Sequence, residues 1–203
     1  MKNWNIATIG FFVIIVMAIS NSWEASESWG QHSERKPMLA DGYTDYFLKN
    51  VNAGASTNVR NVNHFHLKPA FRHMRSGKPE RALPDLQFIL RWVPNHPLGL
   101  SLMATYSQMT QRPNLAIGRF EQAIYLFPQY GLTYAQYGKF FYDLKDMEKA
   151  KNLLNKAIAL DSKLSAAYGW LSLVYYSEGD LEQAEKVANK AKELGYKGAL
   201  PKR

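Results

Sequence analysis

DLEQA, residues 180–184, stands thirty-four residues after DMEKA at 146–150. The same step back reaches RPNLA at 112–116, and one more reaches KPERA at 78–82. Every phrase ends on alanine: Ala82, Ala116, Ala150 and Ala184. A small residue that returns at one fixed interval indicates a repeated supersecondary unit. Each phrase also opens with a residue suited to starting a helix. Asp146 and Asp180 carry a carboxylate that accepts a free N–H of a first helical turn. Pro79 and Pro113 lack the N–H that would stay unpaired there in any case. Two chemistries meet one structural need at the same phase.

From about His64 onward, apolar residues recur three and four apart in blocks of about a dozen, divided by short breaks carrying Gly, Pro or Asp. The blocks pair into four units, 63–96, 97–130, 131–164 and 165–198, followed by a basic tail at 199–203. Each unit reads as a helix, a tight turn and a second helix, so the fold class is all-α. Antiparallel helices approach closely only where their facing side chains are small. Ala70, Ala104, Gly138 and Ser172 hold that position in the first helices. Ala123, Ala157 and Ala191 form a second small row in the second helices, which Ile89 breaks in the first unit. The four recurrent alanines are therefore repeat-packing residues.

This pattern resembles the tetratricopeptide repeat (TPR), a pair of helices with a period of 34 residues. The third unit carries the resemblance in Tyr134, Tyr137, Gly138, Phe141, Ala150, Leu154 and Ala157. The fourth carries it in Tyr168, Leu171, Ser172, Tyr175, Ala184, Ala188 and Ala191. The second keeps Leu100, Met103, Ala104, Ala116, Phe120, Ala123 and Pro128. The first unit departs from the pattern, with Pro69 at a large apolar position and His73 at an aromatic one; Pro69 is expected to delay the first helix to near Lys68. The stretch LQFILRWVPNHPLGLSLM, 86–103, also resembles exported bacterial TPR proteins of unassigned function.

The resemblance implies a right-handed solenoid whose concave groove is lined by first helices and holds a protein or peptide. The family's groove positions fall here on Phe71 and Met74, on Gln108 and Met109, on Lys139 and Tyr142, and on Leu173 and Tyr176. Met, Tyr and Phe at these places suit an extended or helical peptide with apolar anchors. Family members that clamp a chain-terminal carboxylate use Lys and Asn at set positions. Those positions are occupied here by Leu67, Phe71, Ser101, Thr105 and Ala135, with Lys139 the one cation, so that mode is not expected.

The helix at 181–194 carries six charged residues, which lets its outer face act as a solvent cap. This end also leaves room for a homodimer. Upstream, Ile6–Ile19 is uncharged and follows Lys2, the pattern of a signal segment over residues 1–20 with small residues at Ala18 and Ser20. The expectation is an exported, periplasmic or secreted protein. If the segment stays uncleaved, residues 6–19 anchor the chain to the inner membrane, as a subunit of a larger envelope complex. Residues 21–62 read as a polar linker or irregular arm.

The 203 residues have 46% apolar composition, enough to bury a core, and a net charge of +8. The basic residues are scattered and accompany no nucleic-acid motif, so a solvated basic surface is expected rather than a nucleic-acid partner. There is no cysteine, which excludes disulfides, thiolate metal sites and a lipid-bearing cysteine. His64, His66 and His73 lack ligand spacing for a metal. No phosphate loop, nucleophile elbow or acid–base pair stands out. The sequence points to a non-enzymatic protein with no cofactor. The other readings are an accessory subunit of an envelope enzyme or secretion complex, and an enzyme that uses residues within 21–63.

Overall fold

The computed structural model describes residues 42–201. The apolar segment 6–19 and the start of the arm, 21–41, lie outside the described residues. Within them the chain is helical, with no strand, and no helix is long and apolar enough to cross a membrane. Contacts divide it into two compact units, 42–127 and 128–201.

The first unit begins with a 3₁₀ turn, Tyr46–Leu48, whose first turn is capped by the Asp45 carboxylate accepting from the Phe47 N–H at 3.0 Å. Helix α1, Ala53–Val62, is capped by Asn52, whose Oδ1 accepts from the Ala55 N–H at 3.1 Å. A π turn over Asn63–Leu67 joins it to α2, Lys68–Arg75. One expectation is corrected: the arm expected to be irregular through 62 is helical over 53–62. The α-helix does begin at Lys68 with Pro69 in its first turn, as expected, but a π turn leads into it without a break. Pro69 has no N–H to give to the Phe65 carbonyl, and its ring would press on that oxygen. The chain widens instead, and the Lys68 N–H bonds to the Asn63 carbonyl, one residue further back than in an α-helix.

A 3₁₀ turn at Pro79–Arg81 leads into α3, Leu83–Trp92; α4 spans Pro97–Met109 and α5 Asn114–Leu126. Pro79 thus opens a 3₁₀ turn rather than the second helix itself. The Tyr106 hydroxyl, on α4, donates to Glu80 Oε2 at 2.8 Å and ties α4 to that turn. Where Ile89 interrupts the small row, Gly99 across from it supplies the space. A β-carbon on Gly99 would stand 2.8 Å from Ile89 Cγ2.

The segment before α1 is fastened to the turn between α3 and α4 by polar contacts. The Thr44 N–H donates to the Trp92 carbonyl at 2.8 Å, and the Tyr46 N–H to Asn95 Oδ1 at 2.9 Å. Asn95 Nδ2 in turn donates to Asp45 Oδ1 at 2.7 Å. His96, fully buried beside them, caps α4: its Nδ1 accepts from the Gly99 N–H at 3.1 Å. That bond places the ring proton on Nε2, which donates to Asn63 Oδ1 at 2.7 Å. Burial, and then the nearby Lys49 charge, push the His96 imidazole down to about 3.

The second unit contains α6, Gly131–Asp143; α7, Met147–Leu160; α8, Ser165–Glu178; and α9, Leu181–Glu193. The caps follow the sequence. Asp146 accepts from the Lys149 N–H and Asp180 from the Gln183 N–H, each at 3.1 Å. Helix α8 ends on Gly179 at φ 80°, a left-handed conformation that glycine adopts without a β-carbon penalty.

Small residues set the α6–α7 crossing. A β-carbon on Gly138 would stand 3.1 Å from the Ala150 carbonyl oxygen, and one on Gly131 2.8 Å from that of Ala157. Two small pairs, seven positions apart on each helix, let the backbones touch along an antiparallel path. All four recurrent alanines are buried, as packing residues should be.

After α9 the chain turns back, and the Tyr196 N–H bonds to the Ala191 carbonyl at 2.9 Å. The Tyr196 ring lies against Gly169 of α8, where any β-carbon would collide with it. Burial pushes its phenol up to about 12. The charged face of α9 is therefore not the whole of the cap at this end: an aromatic side chain also closes over α8.

Candidate partner-binding surface

In the second unit, the groove positions Lys139 and Tyr142 belong to α6, and Leu173 and Tyr176 to α8. Each pair is three residues apart, so it shares one helix face. The packing of α6 against α8 brings the ends of these faces together, and the Ser177 hydroxyl reaches the Tyr142 hydroxyl at 3.5 Å. Tyr176 is 45% exposed. Tyr142 and Leu173 are half-buried.

Charge is arranged around Tyr142. Lys139 Nζ bonds to both carboxylate oxygens of Asp143, at 2.6 and 2.8 Å, one helical turn on. The same ammonium lies 5.5 Å from the Tyr142 ring centroid, and Lys145 Nζ lies 5.4 Å from it. Both are within cation–π range. A half-buried tyrosine beside a half-buried leucine and an exposed tyrosine can take an apolar anchor, with ammonium groups at its rim.

In the first unit the remaining predicted positions divide. Phe71, on α2, is half-buried, with the Arg75 guanidinium 5.9 Å from its ring; Gln108 and Met109, at the end of α4, are also half-buried. Met74 is only 5% exposed. It stands four residues after Ala70, which is fully buried, so both face the interior. Met74 is a core residue and not a contact for a partner.

A second aromatic face escaped the sequence reading. On α3, Phe88 and Trp92 are 40% and 43% exposed, one turn apart. The His66 ring stacks on Phe88 at 3.8 Å, and His66 Nδ1 is 2.9 Å from Asp85 Oδ1. Its signal was present in Asp85, Phe88 and Trp92 at helical spacing, but a solvent-facing aromatic stripe and a buried one have the same period. His64 packs edge-on against Phe65. Among the described residues no group of three His, Asp or Glu side chains is placed to hold a metal.

Comparison with known proteins adds the family. The tetratricopeptide repeat family matches residues 133–164 and 165–194, which are the α6–α7 and α8–α9 pairs. Among solved structures, the chain is similar to the crystal structure of MamA, with a TM-score of 0.50 at 23% identity, over 72% of this chain and 83% of that one. A second MamA crystal structure aligns over 95% of this chain and all of the other, at 21% identity and a TM-score of 0.49. At such identity the first likeness is one of fold. No curated protein matches the sequence. Helix pairs with a 34-residue period, small residues at their crossings and the match of two such pairs to the family together identify residues 133–194 as two tetratricopeptide repeats.

Proposed function

We propose that this protein is a non-enzymatic interaction scaffold of the bacterial envelope, holding a peptide or protein segment on the α6–α8 face. Tetratricopeptide repeats serve in general as protein-interaction modules, and the observation that carries the finer reading is the Tyr142, Leu173 and Tyr176 group. These side chains offer apolar area at low cost in conformational entropy, as tyrosine-rich contact surfaces do. Lys145 at the rim, on a chain of net charge +8, favours a segment with apolar anchors and an acidic flank, whereas the Lys139 charge is already met by Asp143. Export rests on the uncharged stretch at 6–19, which follows a lysine and precedes small residues.

The test begins with photo-crosslinkers placed in living cells at Tyr142 and Tyr176, and at Lys156 as an exposed reference position. The segment trapped by the first two and not the third is then synthesised and titrated against purified protein. Replacing both tyrosines with alanine is expected to weaken it about thirtyfold, the ~2 kcal/mol typical of an aromatic anchor. Helicity and melting temperature should stay at the parent values. An unchanged dissociation constant would remove the α6–α8 face from consideration.

A further inference from the structure

A pocket of about 340 Å³ opens in the first unit, beside α1 and the π turn. Ser56, Arg60 and Asn63 line it from α1 and its end, joined by His64 and Lys68 from the π turn and α2, and by Lys49 from the preceding segment. The first three stand at i, i+4 and i+7, one face of a helix. An unbroken α-helix would bring Leu67, at i+11, onto that face next. The π turn forced by Pro69 inserts one extra residue, and Lys68 lines the pocket instead, while Leu67 does not. A backbone irregularity thus exchanges an apolar wall for a cationic one.

The electrostatics run one way. Among the described residues, three of those lining the pocket are cations and none is acidic. Arg60 and Lys68 make no ion pair among the described residues. Lys49 is held in place, its ammonium donating to the Tyr46 hydroxyl at 2.8 Å and lying 4.1 Å from that ring's centroid. Asn63 Oδ1 is occupied by His96, so the group it can offer to the pocket is its amide N–H₂. Like charges gathered in a concavity raise the local potential and favour an anion. A guanidinium fork, two ammonium groups, a hydroxyl and an amide are donors of the kind that phosphoryl oxygens accept from.

We propose that this pocket binds a phosphate monoester through Lys49, Arg60 and Lys68, carried either on a small soluble molecule or on a lipid headgroup. The volume exceeds that of inorganic phosphate and leaves room for a short organic part. This site is independent of the α6–α8 face, and either stands if the other fails.

The probes are glycerol 3-phosphate, inorganic phosphate, and phosphatidylcholine vesicles with or without phosphatidic acid, each titrated against the full chain at physiological salt. Saturable binding of glycerol 3-phosphate, of the phosphatidic acid vesicles, or of both supports the site and shows which source it takes. The double variant Arg60→Gln and Lys68→Gln changes two exposed side chains and should fold as the parent does. It is expected to lose about tenfold or more in affinity, as befits the loss of two charge-assisted contacts. The double variant Lys156→Gln and Lys192→Gln, of equal net charge, should bind as the parent. Absence of saturable binding to every probe, or equal weakening in both double variants, would overturn the proposal.

Discussion

Gly138→Leu is expected to destabilise the protein by about 3 kcal/mol, the upper part of the range for overpacking. A β-carbon at this position would stand 2.8 Å from Leu154 Cγ, 3.1 Å from the Ala150 carbonyl oxygen and 3.3 Å from Leu153 Cβ. Leu154 Cγ belongs to a fully buried side chain, and the carbonyl belongs to the α7 backbone and yields only if the helices part. The crossing that Gly138 and Ala150 define would then widen along α6 and α7. Gly118 gives the contrasting result. It is exposed on α5 with nothing within 4 Å of a β-carbon, so Gly118→Ala should stabilise by about 0.5–1 kcal/mol through helix propensity alone. Urea unfolding of the two variants beside the parent decides the matter. If Gly138→Leu unfolded at the parent's midpoint, the small-residue crossing would not be what holds α6 to α7.

That crossing was legible in the sequence because its causes are local and periodic. Asp146 and Asp180 cap helices through residues three positions away, and the alanines repeat with the helix pairs. The segment from Thr44 to Leu48 was not legible, because what orders it lies far off in the chain. Asp45 and Tyr46 bond to Asn95, about fifty residues on, and no periodicity links them. Pro69 was visible as a disturbance, but a proline that starts a helix and one that widens a turn look the same in sequence. Only the helix before it distinguishes them. The groove positions came from the family's register, which says which face a residue occupies and not how deeply. Tyr176 and Met74 came from the same register, yet one is exposed and the other lies inside. The cationic pocket depends on a one-residue shift that no regular pattern contains.

Acid should unfold this protein through His96 before most carboxylates titrate. In the unfolded chain the imidazole takes up its proton as pH falls through about 6.5. In the folded chain, buried with its Nδ1 accepting from Gly99, it resists protonation down to about 3. Between those two values the unfolded state binds more protons than the folded one, so stability falls as pH falls across that window. One pKa unit corresponds to about 1.4 kcal/mol, and the loss between pH 7 and pH 4 is on the order of 3 kcal/mol. A charged His96 would also lose its role as an acceptor, freeing a first-turn N–H of α4, and would face the Lys49 charge that already opposes it. His96→Asn separates this effect from general acid sensitivity. Asparagine caps a helix well and does not titrate, while every carboxylate remains. The variant should start somewhat less stable at neutral pH, since Asn63 Oδ1 loses its donor, and then lose about 3 kcal/mol less than the parent on acidification. Urea midpoints for both proteins at several pH values between 7 and 4 give the difference directly. Parallel curves would mean that the His96 cap does not control acid unfolding, and that the fastening of residues 44–48 to the α3–α4 turn survives its protonation.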